Sequence, residues 1–118
     1  MPDGNATLFR LWAPAAIGVS LQLQRGDAHA LSPEGEGYFA VRLPGVTAGE
    51  RYRFVVDGHP YPDPASRYQP EGVHGWSQVV DTAAFEWRNA PPAQPDLAGL
   101  VIYEMHVGTF AEEGTFTA

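Results

Sequence analysis

The chain has no cysteine and no lysine. Without cysteine it can form neither a disulfide nor a thiolate-held metal site. That suits a reducing compartment, and a cytoplasmic location is the expectation. All seven basic residues are arginines, set against 14 acidic residues and a net charge of -7. Nothing in their spacing calls for seven bidentate donors, and an all-arginine set reads as the habit of a GC-rich bacterial genome. The acidic excess argues against nucleic acid and anionic membrane surfaces as partners, because both need a basic face. An uncharged partner is not penalised. No stretch of about 18 apolar residues is present, so no membrane span is expected. The start, Met1-Pro2-Asp3-Gly4-Asn5, is polar and acidic, unlike a signal peptide. No segment carries a convincing amphipathic-helix pattern.

The chain does carry a period of two. Ile17, Val19, Leu21 and Leu23 alternate with Gly18, Ser20, Gln22 and Gln24, which predicts a strand with one buried and one wet face. Phe39, Val41 and Leu43 repeat the pattern after a turn-rich segment, Ser32 to Gly37, and Tyr52, Phe54 and Val56 repeat it again. Leu8 to Trp12 is a shorter candidate. Turn signals fall between them at Ala13-Pro14, Arg25-Gly26-Asp27, Pro44-Gly45 and Asp57-Gly58. Asp-Gly is a strong hairpin signal, since a type I′ turn needs two positive φ values. Short strands at this spacing predict an all-β fold, an antiparallel sandwich of the immunoglobulin-like kind, running from about Thr7 to Val80. A length of 118 residues with 44% hydrophobic composition suffices for one such domain and its core.

From His59 onward the character changes. Seven of the 11 prolines lie between Pro60 and Pro95. Gln78 to Asp81, and less clearly Ala84 to Trp87, read as extended. A long irregular stretch bearing Tyr61, Tyr68, Trp76, Phe85 and Trp87 is expected to pack on something, because that many aromatics are costly to expose. Asn89 to Asp96 reads as a stiff linker. Leu100 to Val107 then begins as a nearly unbroken apolar run, the pattern of a strand covered on both faces in a parallel sheet. Its expected neighbours would lie beyond Ala118. The expected organisation is therefore a sandwich over 1–88, a proline-rich linker over 89–99, and over 100–118 the first strand and loop of a catalytic barrel whose remainder is missing. The alternative for the apolar run is an edge strand added to the sandwich.

Several of these segments resemble one group of enzymes. Phe9-Arg10-Leu11-Trp12-Ala13-Pro14, followed by Val19-Ser20-Leu21, looks like the opening of the early-set sandwich that precedes the (β/α)8 barrel in glycogen-branching and debranching enzymes. Tyr103 to Phe110, with Glu113-Gly114-Thr115-Phe116, looks like the first barrel strand and loop of the same alpha-amylase superfamily. Asp63 to Gly75 most resembles the malto-oligosyltrehalose trehalohydrolases, departing at Trp76, where that family often has proline. The resemblance implies the non-catalytic amino-terminal module of a glycoside hydrolase that cleaves the α-1,4 bond next to a terminal trehalose. It also implies that both catalytic carboxyls, which a retaining mechanism needs about 5 Å apart, lie on later barrel strands. A branching or debranching relative, or a free-standing glucan-binding module, remains open beside it.

No catalytic residue is expected within these residues. Glu112 and Glu113 read as solvated loop charges and Glu104 as a structural group. His29, His59, His74 and His106 lack metal-ligand spacing, so no metal and no cofactor is expected. Ser66 and His74 do not form a nucleophile elbow. Trp76, with Tyr61 and Tyr68, is the candidate sugar-contact set, because a flat π-face matches the C–H face of a pyranose. Packing against the following domain is the competing role for the same rings. Asp63, Arg67, Tyr103, Glu104 and His106 are the candidates for docking onto that domain. Trp12 is expected in the core or between the sheets, and Trp87 as a clamp on the sandwich end. The expected partners are the catalytic barrel of the same protein and a malto-oligosaccharide. An unpaired Leu100–Val107 strand is a hazard for strand-exchanged self-association.

Overall fold

The computed structural model describes residues 2, 3, 5–89 and 97–117. Most of the expected linker, at 90–96, lies outside the described residues, as do Met1, Gly4 and Ala118. Two compact units are present, Met1–Glu86 and Trp87–Ala118.

Among the described residues the first unit has nine strands: β1 (Pro2–Asp3), β2 (Ala6–Trp12), β3 (Val19–Leu23), β4 (Ala28–Ala30), β5 (Ser32–Gly35), β6 (Tyr38–Pro44), β7 (Arg51–Val56), β8 (His59–Tyr61) and β9 (Ser77–Gln78). They form two antiparallel sheets. One runs β1-β2-β6-β5; the other runs β4-β3-β7-β8, with β9 also paired to β7. The two sheets share one core. Phe9, Leu11 and Leu43 enter it from the first sheet, and Val19, Leu21, Leu23, Tyr52 and Phe54 from the second. Three loop residues, Leu31, Val46 and Val79, close its ends. The all-β antiparallel sandwich expected from the period of two is what the chain forms.

The alternation works as read in β3 and β7, where Leu21 pairs with Phe54 and Leu23 with Tyr52. The hairpin at Asp57-Gly58 has the two positive φ values its sequence demands, 49° and 84°. Asp57 adds a second anchor, its Oδ1 accepting the N–H groups of Ile17 and Gly18 at 3.0 and 2.9 Å.

Several expectations need correction. Ile17 is 95% exposed: β3 begins two residues later, so the period stops before reaching it. The segment from Ser32, expected as a turn, contributes the edge strand β5, with a bulge between Pro33 and Gly35 and only Glu36-Gly37 left to turn. Trp12 is not in the core. It sits out of phase with Phe9 and Leu11 on β2 and is 60% exposed. Trp87 is 84% exposed and falls in the second unit. In that second unit Leu100–Val107 forms no strand. Residues 101–106 have no regular structure, Val101 and Ile102 are exposed, and Val107–Phe110 makes a single helical turn, α1, after a short 3-10 turn at Leu97–Gly99. The reason is the one that made the run conspicuous: such a strand needs neighbours on both sides. Ala84 to Trp87 is likewise not a strand, and extended pairing near Gln78 is confined to β9.

Gly37 marks where the fold is least tolerant of a side chain. Its φ is 81°, and a Cβ there would lie 2.6 Å from the Cβ of Pro14 and 2.8 Å from its Cα. Gly26 has a comparable φ of 111° but open space around it. Gly37→Ala is therefore expected to cost about 2 kcal/mol or more and Gly26→Ala about 1 kcal/mol. Thermal melts of the two variants check this: the Gly37 change should lower the midpoint clearly more, and equal shifts would refute the steric account.

Candidate functional site

The residues most densely decorated with aromatic and polar side chains lie on β7, β8 and the loop between β8 and β9. That loop has little regular structure, yet it satisfies its own backbone. Asp63 is its anchor. Its Oδ2 accepts the hydroxyl of Tyr52 at 2.6 Å, its Oδ1 accepts the N–H of Ala65 at 2.8 Å, and its own N–H donates to Ser77 Oγ at 3.1 Å. Ser77 is fully buried and sits opposite Tyr52 in the ladder, so both ends of the loop close onto one point of β7. Arg51 pairs with Glu71, Gln69 Nε2 donates to the carbonyl of Val73 at 3.1 Å, and the N–H of Gln78 donates to the carbonyl of Tyr68 at 2.9 Å. The hydroxyl of Tyr52 is pushed well above the usual tyrosine range, first by burial and then by its hydrogen bond to the Asp63 carboxylate. It is a fixed donor at any ordinary pH.

Two depressions flank this loop. The smaller, about 80 Å³, is lined by Arg53, Pro60, Tyr61, His74 and Trp76. In it the Arg53 guanidinium lies over the Trp76 ring, 4.4 Å from its centroid, steadied by donating Nε to Gln22 Oε1 at 2.8 Å. The larger is a cleft of about 610 Å³. Its apolar lining comes from Leu11, Phe54 and Val56 on the strands, and from Trp12, Tyr61 and Val73 at exposed positions. Asp63, Gln69 and His74 bring polar atoms to it.

The residues singled out in the sequence are only partly brought together. Tyr61 and Trp76 share the small depression; Tyr68 lines neither. Asp63 and Arg67 line a third hollow, of about 250 Å³, with Tyr52 and Gln78, and they form no ion pair among the described residues. Tyr103, Glu104 and His106 are all exposed in the second unit, where the Tyr103 ring meets Phe110 edge-on at 6.5 Å. Among the described residues no three His, Asp or Glu side chains converge as a metal group would require. Sequence reasoning missed Trp12 as a surface residue. Its phase was the available signal: Phe9 and Leu11 point inward, so Trp12 points out.

A family model for carbohydrate-binding module 48 (isoamylase N-terminal domain) matches residues 1–73. The chain belongs to this family. The match takes in β1 to β8 and ends within the loop that follows. Among relatives, a malto-oligosyltrehalose trehalohydrolase of Deinococcus radiodurans is 45% identical over 100% of this chain and 19% of its own length. One from Saccharolobus solfataricus is 42% identical over 97% of this chain and 20% of its own. A crystal structure from Salmonella typhimurium, assigned as an alpha amylase, superposes with a TM-score of 0.86 at 41% identity, covering 97% of this chain and 20% of that one. This module 48 chain thus spans about a fifth of the length of the relatives it matches.

Proposed function

We propose that this chain is the amino-terminal, non-catalytic module of a glycoside hydrolase that releases trehalose from malto-oligosyltrehalose by cutting the adjacent α-1,4 bond. The observation that carries the reading is the 45% identity to a trehalohydrolase along the whole chain, continuing past the sandwich to Phe116 and its neighbours. The module supports the catalytic barrel and contacts the glucan end of the substrate. Tyr103, Glu104 and His106 then belong to the first barrel strand, exposed here and covered once its neighbours are in place. Asp63 is engaged by Tyr52, so Arg67 is the loop residue left to meet the barrel.

A graft tests this. Residues 1–118 would replace the matching segment of the Deinococcus radiodurans relative, and trehalose release from malto-oligosyltrehalose would be measured for the graft and for this chain alone. The expected result is release by the graft within about tenfold of the parent and none by the chain. A soluble, folded graft without activity, or release by the chain itself after controls for contaminating enzyme, would overturn the reading.

A further inference from the structure

We infer that the saccharide seat of this module is the cleft between Trp12 and Tyr61, and not the Trp76 surface that the sequence favours. The inference rests on the proposed glucan contact and names its site.

Size separates the two depressions first. Small-molecule sites run from about 300 to 1,000 Å³. The Trp12 cleft, at about 610 Å³, falls inside that range, and the Trp76 depression, at about 80 Å³, has room for little more than water. Access separates them second. The Arg53 guanidinium already stacks on the Trp76 ring. On the face that Arg53 covers, a pyranose would have to displace a cation–π contact worth about 0.5–1 kcal/mol at an exposed site, with the guanidinium also tied to Gln22. Trp12 has no such cover: 60% of it is exposed, as is 53% of Tyr61 across the cleft.

The Trp12 ring is also held. Its indole N–H donates to the carbonyl of Glu36 at 3.2 Å, and a Cβ added at the neighbouring Gly37 would come within 3.2 Å of its Nε1. A fixed, amphipathic aromatic with an open face loses little entropy on stacking. The rest of the cleft suits a neutral polyol. Its Phe54 and Val56 lining takes C–H faces. Gln69 is oriented by its own bond to Val73, which leaves its amide oxygen available for a hydroxyl, and His74 adds a second polar group. The net charge of -7 excludes anionic ligands more than neutral ones. Tyr61 and His74 line both depressions, so a longer glucan leaving the cleft would run toward Trp76 without needing it as the platform.

The probe is maltoheptaose, titrated into the intact chain by calorimetry and by ¹H–¹⁵N spectra that resolve the three indole N–H signals. Expected is binding that Trp12→Ala weakens by roughly tenfold or more, that Trp12→Phe largely restores, and that Trp76→Ala leaves within about twofold, with the Trp12 indole signal moving most in the unmutated chain. The indole shift keeps the test decisive if Trp12→Ala disturbs the β5–β6 turn. Binding that depends on Trp76 and moves its signal would overturn the inference while sparing the glucan contact. No binding at millimolar sugar would overturn both, and would leave the trehalose-release reading to the graft.

Discussion

Phe54→Ala is expected to cost about 3–5 kcal/mol and to leave the sandwich largely unfolded at 37 °C. Phe54 is 1% exposed and is the largest of the fully buried side chains. It faces Leu21 across the central ladder and sets its ring edge-on to Tyr52 at 6.0 Å, while Tyr52 does the same to Phe9 at 4.8 Å. The change therefore removes more than one ring's transfer energy. It also ends an aromatic row that runs from one sheet to the other, and the pleated backbone on either side cannot collapse to fill the gap. A domain of this size has about 5–15 kcal/mol in total, so the loss is a large share of it. Urea titration followed by tryptophan fluorescence checks the figure, with Phe54→Leu as the control that keeps most of the volume and costs about 1 kcal/mol. A loss below about 1.5 kcal/mol for the alanine variant would mean that the row is not the centre of the core.

The second large effect belongs to alkaline pH. The unfolded chain gives up a tyrosine proton near pH 10, whereas burial and the Asp63 hydrogen bond hold the Tyr52 proton in the folded state well beyond that. The unfolded state then binds fewer protons than the folded one, so stability falls as pH rises. The contribution is fully present below about pH 10 and is lost above it, at about 1.4 kcal/mol per pH unit for one group. Tyr52→Phe should abolish that slope. At pH 7 the same variant should be less stable by about 1–3 kcal/mol, because Asp63 Oδ2 loses its donor. Equilibrium unfolding of both proteins from pH 7 to pH 12 measures the difference, in which the four other tyrosines, common to both chains, cancel. Parallel curves would show that the Tyr52–Asp63 bond does not hold the loop.

The parts of this fold that could be read from the sequence are those with a wet face and a dry face. β3 and β7 alternate for five or six residues, and the hairpin at Asp57-Gly58 declares itself by its residue types. The short edge strands could not be read. Three residues, as in β4 or β8, hold no period, and Pro33 and Pro60 argue against strand on local grounds although both sit on edges that tolerate them. The loop after β8 was recognised by its residues as important, but the reason was hidden. Tyr52, Asp63 and Ser77 are distant in sequence, and nothing local says that they meet. The site divides the same way. Tyr61 and Trp76 were legible as aromatics in a proline-rich segment, yet which tryptophan is covered depends on Arg53, a cross-strand neighbour of Gln22. Leu100 to Val107 carries the composition of a doubly covered strand without a strand partner among the described residues, and it takes no regular structure before Val107.

Three of the strands at the sheet edges contain a proline, at Pro2, Pro33 and Pro60, and the other two, β4 and β9, are only three and two residues long. A proline has no N–H to offer a passing strand. Copies of the sandwich that collide side by side, in a crowded cell or a concentrated preparation, therefore find only short, interrupted rows of donors on which a fibre could be templated. Such edges keep one copy of the sandwich from gluing itself to the next.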